Sequence, residues 1–92
     1  MKKAITITYQ SGEEATYVAY PPDFAKWERA TEKSIADFSG MWDILFVAYS
    51  AMKREAAGQP VKPFEVWMDT VQDLDVDSDS PKAIAEEVSA DS

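Results

Sequence analysis

The sequence contains no cysteine and no histidine. Without cysteine there are no disulfide bonds, thiolate nucleophiles or sulfur ligands for zinc. Without histidine the chain lacks imidazole metal ligands and the side chain best suited to proton transfer near neutral pH. These absences disfavour most enzyme chemistry, so we expect a non-enzymatic protein with no cofactor and no metal ion.

Long hydrophobic runs and clusters of basic residues are missing as well. No apolar stretch approaches the roughly 20 residues of a membrane-spanning helix, and no charged-then-apolar leader opens the sequence, so we expect a cytoplasmic protein. The chain has 9 basic and 17 acidic residues, for a net charge of -8. This balance argues against nucleic-acid binding, which needs clustered Lys and Arg to replace phosphate counterions.

The negative charge is concentrated towards the C-terminus, in residues 73–92. Four carboxylates there match positions 1, 3, 5 and 12 of a calcium-binding loop: Asp75, Asp77, Asp79 and Glu86. Position 6 of such a loop requires glycine for its sharp turn, and this sequence has Ser80 there. We therefore interpret residues 76–92 as a solvated, acidic, flexible tail without a metal site.

The remaining residues are sufficient for one small domain over residues 1–75. Residues 3–20 contain two runs of β-branched and aromatic residues separated by a glycine-containing loop, which predicts a β-hairpin. An isolated hairpin is only marginally stable in water, so we expect it to pack on helices.

Three helices are predicted, over about residues 23–37, 40–57 and 63–74. Asp23 is a suitable N-cap for the first helix and Ser39 for the second. The third carries its apolar residues at helical spacing: Phe64, Trp67, Met68, Val71 and Leu74. The predicted fold is therefore α+β, an N-terminal β-hairpin packed on a three-helix core, followed by an acidic disordered C-terminal tail.

The second helix suggests where a partner binds. At 100° per residue one of its faces is apolar, and we predict that this face forms the core: Met41, Ile44, Leu45, Ala48 and Met52. Phe46 lies outside this face and is predicted to contact a partner. Trp42, Tyr49 and Trp67 are interpreted mainly as core residues at the margin of the same partner-binding patch, because aromatic anchors dominate such interfaces.

Three short motifs carry a resemblance to a known family: Asp23, Trp27 and Glu28 opening one helix, the segment Phe-Val-Ala-Tyr-Ser-Ala-Met-Lys-Arg at residues 46–54, and Phe-Glu-Val-Trp at residues 64–67 with Val71. On these motifs, over about residues 14–76, the chain resembles the small tail assembly chaperones of long-tailed (siphovirus-type) bacteriophages and prophages. Where that family often has Trp before its final Ala-x-x-Arg segment, this chain has Tyr49.

The resemblance implies a non-enzymatic role in virion assembly. A protein of this family binds the long helical tape measure protein through apolar helix surfaces while the tail assembles, with the tail tube protein as a second candidate partner. It acts as a homo-oligomer in the bacterial host cytoplasm and is not part of the mature virion. The alternative is a small acidic inhibitor or decoy that binds a basic partner through residues 73–91, with strong salt dependence.

Overall fold

The computed structural model describes residues 2–78, which form a three-stranded antiparallel sheet with helices packed on one face. The elements in chain order are β1 (Lys3–Tyr9), β2 (Glu14–Ala19), α1 (Pro21–Thr31), a 3-10 turn (Ile35–Asp37), α2 (Gly40–Ala56), α3 (Phe64–Met68) and β3 (Val71–Ser78). The predicted α+β class, with an N-terminal hairpin and three helices, is confirmed.

The hairpin supplies one side of the core. In β1, Ile5 and Ile7 point towards the helices and are 0% exposed, whereas the threonines that alternate with them, Thr6 and Thr8, lie on the opposite face. The turn passes through Gly12, whose φ of 96° favours glycine. The period-two alternation of β1 therefore decides which face of the sheet is buried.

The third strand corrects two predictions at once. The helix predicted over residues 63–74 ends at Met68, and the chain continues as β3 to Ser78, past the predicted domain boundary at residue 75. From Asp73 to Asp77 acidic and apolar residues alternate, and pairing with β1 places Leu74 opposite Ile7 and Val76 opposite Ile5. Residues 71–78 form a strand rather than a continued helix, because β1 would otherwise keep an unpaired edge beside its buried isoleucines. Residues 79–92 of the predicted tail lie outside the described residues.

The first helix is shorter than predicted, and its cap differs. It begins at Pro21, so Asp23 is not the N-cap but lies in the first turn, where its carboxylate accepts a hydrogen bond from the Tyr20 backbone N–H at 2.9 Å. The helix ends at Thr31 because Glu32 adopts a left-handed conformation with φ 58°. Residues 32–37, predicted to continue this helix, therefore form a turn at Glu32 and the 3-10 turn Ile35–Asp37 instead.

The second helix spans Gly40–Ala56, close to the predicted range, but its buried face is rotated from the predicted one. Val47, Ala48 and Ala51 are 0% exposed, because this side of α2 packs against α1 and β2. Met41, predicted as a core residue, is 59% exposed, so that prediction is wrong. The rotation leaves the row of Trp42, Phe46 and Tyr49 facing away from the centre of the core.

Candidate partner-binding surface

An aromatic row runs along α2. Trp42, Phe46 and Tyr49 are spaced by four and three residues, which places them in one line on a helix surface. The rings of Trp42 and Phe46 stack with their centroids 5.4 Å apart. Because the center of the buried face lies elsewhere on the helix, this row is available to pack against a further element.

Helix α3 crosses the aromatic row of α2 and contributes Phe64, whose ring contacts all three rings of the row. The centroid of Phe64 lies 5.5 Å from that of Trp42, 5.8 Å from that of Phe46 and 5.3 Å from that of Tyr49. It also lies 6.3 Å from the centroid of Trp67. Such edge-to-face and offset contacts add to the stabilisation gained by burying the rings. We call these five side chains the aromatic patch: Trp42, Phe46, Tyr49, Phe64 and Trp67.

The members of the aromatic patch differ in exposure. Trp67 is 3% exposed, which confirms its interpretation as a core residue, and it supports the patch from below. Trp42 is 45% exposed, so its interpretation as a core residue is wrong. Phe46, Tyr49 and Phe64 are half-buried and pack against the core. Phe46, predicted to contact a partner, is therefore partly covered by its neighbours, and Trp42 is the most accessible of the four predicted residues.

The sequence did not identify Phe64 as a candidate. Its helical spacing with Trp67 indicated an apolar face of the third helix, but nothing in the pattern showed that this face crosses the aromatic row of α2. The exposed side chains of Met41 and Val66, at 59% and 49%, lie on the same two helices and were also missed. An exposed apolar side chain is recognisable only once the packing of its helix is known.

Polar contacts fix the position of the rings. The Tyr49 hydroxyl donates to the Lys62 carbonyl, which ties the loop before α3 to α2. The Trp67 indole N–H donates to the Tyr9 hydroxyl at 3.0 Å, and this hydroxyl lies 2.8 Å from that of Tyr17. Beside Trp67 is an open groove of about 930 Å³, with apolar walls from Tyr9, Met52 and Val61 among others. The patch is thus continuous with a concave surface.

The Tyr9–Tyr17 pair makes stability sensitive to alkaline pH. Burial, the hydrogen bond to Tyr9 and the nearby charge of Glu55 raise the pKa of Tyr17 well above its usual value of 10.0. Since the folded state favours the protonated phenol, the contribution is present below pH 10 and is lost as the pH rises further. We expect the free energy of unfolding to fall above about pH 10, by an amount that solvent screening limits because Tyr17 is only partly buried.

The matched variant Tyr17→Phe isolates this effect from the other groups that titrate in the same range. Urea denaturation at intervals from pH 8 to 11.5 is the measurement. The variant is expected to lose less stability over this range than the unmodified chain. Parallel curves for the two proteins would contradict the assignment.

A second polar cluster lies between α1 and α2. Asp23 is 0% exposed, and its carboxylate accepts a hydrogen bond from the Ser50 hydroxyl at 2.7 Å and a charged one from the Arg54 guanidinium. Arg54 also donates to the Val18 carbonyl at 2.8 Å, so the cluster joins β2 to both helices. Ser50 contacts the carboxylate directly, with no histidine in the sequence to accept its proton. This arrangement fits structural support rather than nucleophilic catalysis.

Two further findings concern function classes weighed from the sequence. Within residues 2–78 no helix has the length and hydropathy to cross a membrane, and no three potential metal-ligating side chains converge. The first two carboxylates of the calcium-loop pattern, Asp75 and Asp77, lie in β3 rather than in a loop, whereas Asp79 and Glu86 lie outside the described residues.

The aromatic patch and its exposed margin are the features most suited to binding a partner. They combine half-buried rings, held by contacts within the fold, with one large side chain that is accessible to solvent. Comparison of the chain with family models, curated proteins and solved structures finds no match.

Proposed function

We propose that this protein is a non-enzymatic phage tail assembly chaperone that binds the tape measure protein through apolar helix surfaces. The proposal combines the resemblance described above with one structural observation, the aromatic patch on α2 and α3. Its client is an amphipathic helical chain that is long and poorly soluble by itself. A rigid set of aromatic rings with an exposed edge suits such a client, because aromatic anchors contribute most of the binding energy at apolar interfaces.

Trp42 is the residue on which the proposal is best tested. It is 45% exposed, so a charge there disturbs a client more than it disturbs the fold. Its position in the first turn of α2 also favours an acidic residue, because the helix dipole is positive at that end. Phe46→Asp is less informative, since Phe46 packs against the core and its loss destabilises the protein directly.

We expect Trp42→Asp to abolish solubilisation of the client with little change in helicity. The measurement is the soluble fraction of a tape measure protein, taken from the genome that encodes the chain, when the two are co-expressed. Ala25→Asp is the matched control, because it adds the same charge at an exposed position of α1. The proposal is wrong if the unmodified chain leaves the client insoluble, or if Trp42→Asp solubilises it as well as Ala25→Asp does.

One observation favours the alternative, an acidic inhibitor or decoy that binds a basic partner. Asp73, Asp75 and Asp77 alternate along β3 and are all exposed, so they form an acidic row on the face of the sheet away from the helices. Binding through this row weakens steeply as salt rises. It is also unaffected by Trp42→Asp, which distinguishes the alternative from the chaperone.

A further inference from the structure

Strand β3 forms an uncovered edge of the sheet within the described residues. In the order β2-β1-β3, no strand among residues 2–78 pairs with the outer side of β3. The opposite edge is partly covered, because the Arg54 side chain donates to the outward-facing Val18 carbonyl of β2. An unpaired edge presents backbone N–H and C=O groups that can accept another strand. The outer side of β3 is therefore the place where the sheet can be extended.

The register shows which backbone groups face outward. Along an antiparallel strand, the backbone N–H and C=O groups of successive residues face alternately towards and away from a given neighbouring strand. The backbone N–H and C=O groups of Val18 face away from β1, so those of its partner Ala4 face β3. The backbone groups of Asp77, which pairs with Ala4, therefore face β1. The backbone N–H and C=O of Val76, the preceding residue, then face outward from the sheet. The Leu74 N–H also lies outside the ladder, because it donates to the Asp73 carboxylate at 2.8 Å.

The side chains of β3 divide into two kinds. The carboxylates of Asp73, Asp75 and Asp77 are exposed on the open face of the sheet. Leu74 and Val76 lie on the helix side, where they are half-buried and pack against the core. An added strand therefore meets an acidic row on one face and an incompletely covered apolar row on the other.

This pattern selects the occupant. A second copy of β3, paired antiparallel, places carboxylates opposite carboxylates, and like charges directly opposite each other are unfavourable. A strand with Lys or Arg at alternate positions places cations opposite the acidic row instead. Apolar residues at its remaining positions extend the surface of Leu74 and Val76.

We propose that the outer edge of β3 binds an extended peptide segment in which basic and apolar residues alternate, and adds it as a fourth, antiparallel strand. Main-chain hydrogen bonds to the Leu74 carbonyl and to the Val76 N–H and carbonyl hold the segment, while the Leu74 N–H keeps its bond to the Asp73 carboxylate. The acidic row selects the charge of the segment. This inference uses residues outside the aromatic patch and does not rest on the chaperone proposal. It differs from a decoy because it requires the backbone of β3 as well as its charge.

The test uses the full 92-residue chain and a labelled synthetic peptide in which Val and Lys alternate, with affinity measured by fluorescence anisotropy. Directly opposite residues share a face of the sheet, so the Val N–H groups of the peptide donate to the Leu74 and Val76 carbonyls, and the Val76 N–H donates back to a Val carbonyl. N-methylation of its Val residues is expected to weaken binding by about tenfold or more. N-methylation of its Lys residues, whose N–H groups face away, is the matched control and should preserve binding.

Substitutions in β3 test the same strand pairing by changing the protein instead of the peptide. Val76→Pro removes an outward N–H without removing a hydrogen bond to β1, and is expected to weaken binding strongly. Val76→Ala loses the same side chain, keeps the N–H and should bind nearly as well as the unmodified chain. Replacing Asp73, Asp75 and Asp77 with Asn should reduce both the affinity and its salt dependence.

Three results overturn the proposal. The first is no binding of the Val-Lys peptide at low salt, and the second is equal binding of a peptide with Glu in place of Lys. The third is an equal effect of the two N-methylated peptides, which indicates recognition by charge alone. If Val76→Pro does not fold, as judged by circular dichroism, the two N-methylated peptides still decide the question on the unmodified chain.

Discussion

Replacing Arg54 with methionine is expected to lower the free energy of unfolding by about 3–5 kcal/mol, because it leaves a buried carboxylate without its counter-ion. Asp23 is 0% exposed and cannot reach water, whereas the Arg54 side chain is 35% exposed. The variant also loses the hydrogen bond to the Val18 carbonyl and the contact of the guanidinium with the Tyr20 ring, 5.2 Å from its centroid. Urea denaturation near neutral pH measures the loss.

The double variant Asp23→Asn/Arg54→Met separates the effect of the unpaired Asp23 carboxylate from the loss of the other Arg54 contacts. Asparagine can accept the hydrogen bond from the Tyr20 N–H and donate to the Ser50 hydroxyl, which is able to rotate. We therefore expect the double variant to be more stable than Arg54→Met alone. If the double variant is instead less stable than Arg54→Met, and its loss equals the sum of the losses of Asp23→Asn and Arg54→Met, the unpaired carboxylate of Asp23 is not the cause.

Trp27→Ala is expected to cost a similar amount, about 3–5 kcal/mol, through the cavity it leaves in the core. Trp27 is 0% exposed, its ring contacts Phe38 edge-on with centroids 5.1 Å apart, and its indole N–H donates to the Asp43 carboxylate at 2.8 Å. Small domains have a total stability of only about 5–15 kcal/mol, so this loss is a large part of the total and the melting temperature should fall by well over 10 °C, at about 4–8 °C per kcal/mol. Thermal melting followed by circular dichroism is the measurement.

Trp42→Ala is the control for the cavity argument. It removes the same side chain type at a position that is 45% exposed, so less apolar surface leaves the core and no closed cavity forms. We expect a loss of about 1 kcal/mol, mainly from the ring contacts with Phe46 and Phe64. Comparable losses for the two variants would show that Trp42 contributes more to folding than its exposure indicates.

The fold class was predictable because the strongest patterns in the sequence are local. The alternation of Ile5 and Ile7 with threonines defines a strand, and the residues between Gly40 and Ala56 define a helix with suitable charges at both ends. Both elements have the periodicity and length that their own residues favour. The structure changes neither of them by more than a residue or two.

The third strand was not predictable in the same way, because its sequence supports two periods. Phe64, Trp67, Val71 and Leu74 are spaced as on a helix, whereas Leu74 and Val76 alternate with acidic residues as on a strand. The choice depends on the free edge of β1, more than sixty residues earlier in the chain. A local pattern contains no information about so distant a pairing partner.

The candidate site was predictable in part, for a related reason. Phe46 was recognised as lying off the core face, but the rotation of α2 depends on the Asp23–Ser50 hydrogen bond and on the packing of α1, neither of which periodicity reveals. That rotation exposes Trp42 and brings Phe64 over the row. Residues that contact each other across two helices are identified only when the arrangement of the helices is known.

The sheet order also sets when the fold can be completed during synthesis. Of the three described strands, β1 is made first and lies at the centre of the sheet, whereas β3 is made last. The hairpin and the helices can associate while the chain is still growing, but one edge of β1 stays unpaired until Val71–Ser78 has emerged from the ribosome. Until then the nascent chain carries an open strand beside Ile5 and Ile7, a form prone to pairing with other chains.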